Sequence, residues 1–221
     1  MPEDRIAPGV APAPAGPTRK ARRPLNPTPL TLEFRPVLEL TDELFTQICA
    51  ANRDLRLERT AQGALEIMSP AGSDSGSKNF KLTARLGNWA EGAGRDLGEF
   101  FDSSAGFTLP NGAIRSPDAS WIARDRWQAL TPELRGVFAP ICPDFVVELR
   151  SPSDRKRTLR AKMREYIEQG ARLGWLIDRL DGTVTVYRPG RAAETLTRPA
   201  TLGGEDVLPG LVLDLKGILY D

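Results

Sequence analysis

The chain has 221 residues, with 30 basic and 29 acidic side chains, two cysteines and no histidine. Its length suffices for one domain with a hydrophobic core and a tail. The lack of histidine excludes Ser-His-Asp and Cys-His nucleophiles, HExxH metalloproteases and histidine-ligated zinc deaminases. Acid–base chemistry must therefore come from Asp, Glu, Lys, Tyr or metal-bound water. No apolar run approaches a membrane span, and the N-terminus lacks a signal-like apolar segment, so we expect a cytoplasmic protein without a membrane partner.

The N-terminal segment differs in composition from the rest of the chain. Residues 1–30 are rich in Pro, Ala and Arg and show no apolar periodicity. We predict a disordered arm over residues 1–30 and one folded domain over residues 31–221. The basic stretch at residues 19–23 (RKARR) is either a phosphate tether or a solvated tail.

Secondary-structure signals in the first half of the domain alternate between helix and strand. Thr41 is a typical N-cap for a helix whose apolar residues share one face. Short strands are predicted at residues 55–59 and 64–68. A loop over residues 72–76 and a helix over residues 77–93 follow.

The second half contains the predicted centre of a sheet. Its first predicted elements are strands at residues 99–102, 106–109 and 118–123, a turn at Asn111-Gly112, and a short helix at residues 124–130. The later ones are strands at residues 145–149, 175–178 and 183–187, and a helix over residues 155–170 that is capped by Ser153 or Asp154 and stopped by Gly170. This order predicts an α/β fold, with a mixed sheet flanked by helices and peripheral antiparallel hairpins.

Two carboxylates stand where a sheet collects functional groups. Glu148 interrupts the apolar strand at residues 145–149, where a charge is costly unless it meets a cation. Asp118 follows Pro117 at the start of another strand. Taken alone, Asp118 is equally compatible with a structural turn, and Glu148 with a structural ion pair.

Lys162 lies at the edge of the buried stripe of its predicted helix. The stripe is formed by Leu159, Met163, Tyr166 and Ile167, and Lys162 projects within roughly 60° of it, whereas Arg164, Glu165 and Glu168 point outward. Lys162 would either extend to solvent or reach a buried carboxylate. Two carboxylates and an ammonium group on one face are the parts of a Mg²⁺ (or Mn²⁺) site for phosphodiester cleavage.

Six segments resemble a known family. They are residues 63–70 (GALEIMSP), 109–112 (LPNG), 116–121 (SPDASW), 142–154 (CPDFVVELRSPSD), 162–166 (KMREY) and 174–178 (GWLID). Together they resemble, in order over residues 38–219, the Uma family of restriction-endonuclease-like proteins in the PD-(D/E)xK nuclease superfamily. The resemblance implies a restriction-endonuclease-like fold, with Asp118 as the PD aspartate and Glu148 as the (D/E)xK acid.

The sequence departs from the simple motif at Arg150, which stands where ExK has its lysine. The resemblance implies that the lysine has moved to the next helix, as Lys162. Arg150 remains charged and is suited to a phosphate contact rather than to a base. Asp74 falls where the family often has a glutamate, and is either a further metal ligand or a helix cap.

The sequence thus predicts a Mg²⁺-dependent endodeoxyribonuclease. Asp118 and Glu148 bind metal, with Asp74 as a third candidate ligand, and Lys162 assists. Arg150, Arg155 and Lys156 contact nucleic acid, expected to be DNA. The alternatives are a noncatalytic nucleic-acid- or partner-binding module that retains the fold, and a hydrolase of small phosphodiesters. The oligomeric state, including a homodimer, stays open.

Overall fold

A computed structural model describes residues 29–220. Residues 1–28, which hold most of the predicted arm and its basic stretch, lie outside the described residues, as does Asp221. The described part has three sheets and five helices. Every helix within it is too short or too polar to cross a membrane.

The first sheet is an antiparallel layer built from the N-terminal part of the domain. It contains β1 (Leu30–Leu32), β2 (Arg56–Arg59), β3 (Leu65–Met68), β5 (Phe107–Thr108) and β6 (Ile114–Arg115), in the order β1-β3-β2-β6-β5. Helix α1 (Asp42–Ala51) packs on it through Phe45, and Thr41 accepts a hydrogen bond from the Leu44 amide as predicted. This layer supplies one wall of the candidate site.

The central sheet is mixed, as predicted. It contains β4 (Gly98–Asp102), β7 (Ala119–Ala123), β8 (Phe145–Leu149), β9 (Leu173–Asp178), β10 (Thr183–Tyr187) and β11 (Glu194–Thr197), in the order β11-β10-β9-β8-β7-β4. Only β8 and β9 pair in parallel among these strands, because helix α5 (Lys156–Glu168) connects them.

Helices cover both faces of the central sheet. Alternation along β8 turns Val146 toward Met163 and Tyr166 of α5, and Val147 toward the opposite face. That opposite face is covered by α2 (Ser73–Glu91) and by the C-terminal segment with the hairpin of β12 (Thr201–Gly203) and β13 (Val212–Asp214). Short helices α3 (Arg124–Gln128) and α4 (Pro132–Arg135) follow β7.

One predicted helix start and one predicted helix cap are wrong. Helix α2 begins at Ser73, because Gly72 takes the N-cap conformation and Asp74 in the first turn complements the helix dipole. Asp74 is therefore not a cap. Helix α5 begins at Lys156 with Arg155 in the N-cap position and no side-chain cap. The Asp154 carboxylate instead accepts hydrogen bonds from the Ser151 amide and hydroxyl.

Removing the N-terminal segment tests where the domain begins. Deleting residues 1–28 is expected to shift the melting temperature by less than about 2 °C, because this segment offers little apolar surface to bury. Deleting residues 1–33 should lower it further, because β1 pairs with β3 at three positions. A large drop with the shorter deletion would show that the arm packs on the domain.

Candidate active site

Asp118 and Glu148 lie close together on neighbouring strands. Strands β7 and β8 pair Ala119 with Val147, and Asp118 and Glu148 are the next residues beyond this pair. The Asp118 amide donates to the Val147 carbonyl at 3.0 Å, and the Leu149 amide donates to Asp118 Oδ2 at 2.8 Å. The Asp118 carboxylate is therefore held against the backbone next to Glu148, and both side chains line the same cavity.

Glu148 lies in the protein interior with two donors on one oxygen. Lys162 Nζ is 2.8 Å from Glu148 Oε1, and the Tyr166 hydroxyl donates to the same atom at 3.2 Å. Burial raises the pKa of Glu148 to about 7, against the lowering effect of Lys162 and with a further rise from the charge of Asp118. Within the described residues, Oε2 is the Glu148 oxygen that remains for a cation.

Lys162 is held between two carboxylates. Its ammonium lies 2.8 Å from Glu58 Oε1 as well as 2.8 Å from Glu148 Oε1. The side chain reaches inward from α5 to buried carboxylates, which is one of the two orientations left open by its position at the edge of the buried stripe. Burial lowers the pKa of Lys162, but the charges of Glu148 and Glu58 outweigh it and raise the pKa above its usual value. Lys162 is thus a charged donor in the interior.

Glu58 on β2 connects the first sheet to this centre. It is 1% exposed, and it accepts hydrogen bonds from Lys162, from the Ser116 amide at 3.1 Å and from Arg115 at 3.3 Å. Burial raises the pKa of Glu58, but Lys162 and Arg115 lower it more, so the carboxylate is ionised. Arg115 also pairs with Glu66 and Glu165.

Arg56 is the positively charged partner of Asp118. Its guanidinium lies 3.4 Å from Asp118 Oδ1 and also donates to the Ser116 carbonyl. Its Nε is buried without a hydrogen-bond partner among residues 29–220. About a third of the Arg56 side chain is exposed, so the pair lies at the solvent side of the centre.

These groups line a cavity of about 410 Å³, the size of a ligand pocket. Its wall holds four cations (Arg56, Arg115, Arg155 and Lys162) and six carboxylates (Glu58, Glu66, Asp118, Glu148, Asp154 and Glu165). With all of them ionised, the wall carries an excess of two negative charges. A single divalent cation would neutralise it.

The carboxylates of the cavity provide some, but not all, of the ligands that a divalent cation needs. Within residues 29–220, no three Asp, Glu or Cys residues form a ready metal cluster. Asp118 and Glu148 supply two carboxylates, which is the usual protein contribution to a Mg²⁺ site completed by water and phosphate. Asp74, the third candidate ligand, is not in the cavity wall and pairs instead with Arg179 and Lys78.

The three basic residues that were predicted to contact nucleic acid fall into two groups. Arg150 lies 2.9 Å from Asp178, and Lys156 lies 3.0 Å from the same carboxylate. Both are committed to this ion-pair cluster beside the turn after β9. Arg155 is exposed and lines the cavity, where it is available to a phosphate.

Sequence reasoning missed Glu58, Arg56 and Arg115 and placed Glu165 on the outer face. The first sheet packs over that side of α5, which half-buries Glu165 against Arg115. The available signal was local: β2 reads Arg-Leu-Glu-Arg, with charged residues on both faces of a short strand. A strand with one solvent-exposed face is expected to carry charged residues on that face only.

Comparison with known proteins identifies the family and the fold. The model of the Uma2 family, described as a putative restriction endonuclease, matches residues 42–216. The chain belongs to the Uma2 family. Among solved structures, it is similar to a putative nuclease belonging to DUF820 from Anabaena variabilis, with a TM-score of 0.61 and 21% identity over 74% of this chain and 89% of that one. A search of the curated proteins finds no significant match. The Uma2 match and the nuclease-like fold support nuclease function at a coarse level.

Proposed function

We propose that this Uma2 protein is a metal-dependent endonuclease that hydrolyses phosphodiester bonds in DNA. The observation that supports it best is the contact of the Asp118 carboxylate with the Leu149 amide, next to Glu148, whose own carboxylate binds the ammonium of Lys162. Two like charges that are 4 Å apart repel each other by about 4 kcal/mol at an effective dielectric near 20, and a divalent cation removes that cost.

Different side chains of the cavity would bind the metal, stabilise the developing charge and contact the phosphates. Asp118 and Glu148 would hold Mg²⁺ or Mn²⁺, which when bound polarises a phosphate and acidifies a water. Lys162 donates to the oxygen on which negative charge develops, and burial strengthens that interaction. Arg56 and Arg155 offer guanidinium groups to flanking phosphates.

A substrate panel tests the proposal. Duplex DNA, single-stranded DNA, RNA and a small chromogenic diester are incubated with the protein and Mg²⁺, Mn²⁺ or EDTA. We expect internal cuts in DNA with metal only. Preferred cleavage of RNA or of the small diester would reassign the substrate, and binding of DNA without cleavage under any metal would indicate a noncatalytic module.

Replacing Arg56 should separate metal binding from cleavage. Arg56→Met removes the cation beside Asp118, so Mn²⁺ should bind up to about tenfold more tightly, an effect limited by the partial exposure of the pair. Cleavage should become slower, because a phosphate contact is lost. Titration calorimetry and single-turnover assays measure the two effects.

Arg155→Met is the matched control for Arg56. Arg155 lines the same cavity but makes no ion pair with Asp118 within the described residues. Its replacement should weaken DNA binding and leave Mn²⁺ affinity unchanged. Weaker Mn²⁺ binding by Arg56→Met would contradict the competition between Arg56 and the metal.

A further inference from the structure

Glu58 is a buried carboxylate that the cleavage chemistry described above does not use. It comes from β2 in the first sheet, whereas Asp118 and Glu148 come from the central sheet. Ionised carboxylates are rarely this deeply buried unless they are paired, and desolvation makes such a group costly to keep. The role of Glu58 must therefore lie in the groups that its contacts hold in place.

The firmest of these contacts is with Lys162. The two side chains are separated by 104 residues and meet at 2.8 Å, both almost fully buried. A lysine ammonium is a point charge on a flexible four-carbon stem, so one partner does not fix its direction. Glu58 and Glu148, at equal distances on two different sheets, hold it at one point between them.

The same carboxylate is anchored on its other side. The Ser116 amide donates to Glu58 Oε1 at 3.1 Å, and Arg115 approaches Glu58 Oε2 at 3.3 Å. Ser116 stands two residues before Asp118. Glu58 therefore holds both the backbone near Asp118 and the ammonium that pairs with Glu148.

We infer that Glu58 is a positioning residue, which holds the Lys162 ammonium beside Glu148 in the geometry needed for cleavage. This inference rests on the proposed nuclease function. It assigns to the first sheet a part in the active centre, since β2 contributes the group that directs the lysine. Glu58 does not itself touch the reacting phosphate.

A double-mutant cycle distinguishes positioning from simple stabilisation. Glu58→Gln keeps the shape and an oxygen that can accept from the Ser116 amide, but removes the charge facing Lys162. It should lower the single-turnover rate at saturating metal and DNA by about 10- to 100-fold. In the Lys162→Met background, the same substitution should change the rate by less than about twofold, because the group it directs is already gone.

Asp144→Asn is the matched control. Asp144 is as deeply buried as Glu58 and pairs with Arg126, but it does not line the cavity. Its replacement removes a buried charge without removing a Lys162 partner seen among the described residues, so its rate should stay within about twofold of wild type. Thermal unfolding of each variant shows whether it is folded at the assay temperature. Glu58→Asp, which keeps the charge but withdraws it by one methylene, serves if Glu58→Gln does not fold, and it should also be slow.

The outcomes separate the two proposals. Equal rate losses from Glu58→Gln in both backgrounds, or a Glu58→Asp variant as fast as wild type, would overturn the positioning role and leave the nuclease function standing. A wild type that cleaves no substrate with Mg²⁺ or Mn²⁺ would refute the nuclease function, and the positioning role with it. If Glu58→Gln lowers only the DNA affinity and leaves the rate at saturation unchanged, the positioning role would also be overturned.

Discussion

Asp118→Asn should abolish metal-dependent cleavage while the domain remains folded. The amide oxygen of asparagine can still accept the Leu149 amide, which preserves the bond that Asp118 Oδ2 makes at 2.8 Å. The lost negative charge leaves Glu148 as the one remaining carboxylate of the pair. We expect a rate loss of about 10³-fold, the equivalent of ~4 kcal/mol. Calorimetric titration with Mn²⁺ should show correspondingly weaker binding.

The chain offers a matched control for this substitution. Asp144 also follows a proline, but it is fully buried, accepts a hydrogen bond from the Ala123 amide and pairs with Arg126 outside the cavity. Asp144→Asn should cost stability and spare metal affinity. In the wild type, Mg²⁺ should raise the melting temperature, because it binds the folded site alone. Equal Mn²⁺ affinity in wild type and Asp118→Asn would remove Asp118 from the ligand set.

Lys162→Met should slow cleavage by about 10²- to 10³-fold, because it removes a donor to the developing negative charge. The substitution should also destabilise the fold, since Glu58 and Glu148 both lose their shared cation. Breaking a buried ion pair typically costs about 3–5 kcal/mol. Divalent metal should therefore stabilise this variant more than it stabilises the wild type.

Arg150→Met is the comparison that decides where the motif lysine has gone. Arg150 occupies the ExK position, but it is held by Asp178, which keeps Lys156 as a partner after the substitution. We expect less than about a tenfold loss of rate. Single-turnover cleavage by both variants is measured at saturating metal. If Arg150→Met is inactive and Lys162→Met is close to wild type, the ammonium of Lys162 has only a structural role.

The central strands and the Lys162 helix could be predicted because their signals are local. Residues 145–149 form β8 with the predicted bounds, and the helical angle of Lys162 placed it at the edge of the buried face where it is found. The mixed sheet follows from strand–helix–strand order and was likewise predicted.

The rest of the site depends on contacts between distant parts of the chain. Glu58 meets Lys162 across 104 residues, and Asp74 is taken by Arg179 across 105 residues. Local periodicity carries no information about either pairing. Burial of Glu58 and Glu165 depends on the packing of the first sheet against α5. The charged residues on both faces of β2 mark this strand as unusual, but they do not indicate what it packs against. Similarly, the commitment of Arg150 and Lys156 to Asp178 appears only once β9 lies beside β8.

The most direct test of a metal-dependent nuclease centre at Asp118 and Glu148 is cleavage of supercoiled plasmid, by wild type and by Asp118→Asn, with Mg²⁺ and with EDTA. Any internal cut relaxes or linearises the plasmid, so the assay needs no knowledge of sequence preference. We expect nicked or linear product for the wild type with Mg²⁺, and supercoiled DNA in every other reaction. Cleavage by the wild type in EDTA, or equal cleavage by Asp118→Asn in Mg²⁺, would contradict it.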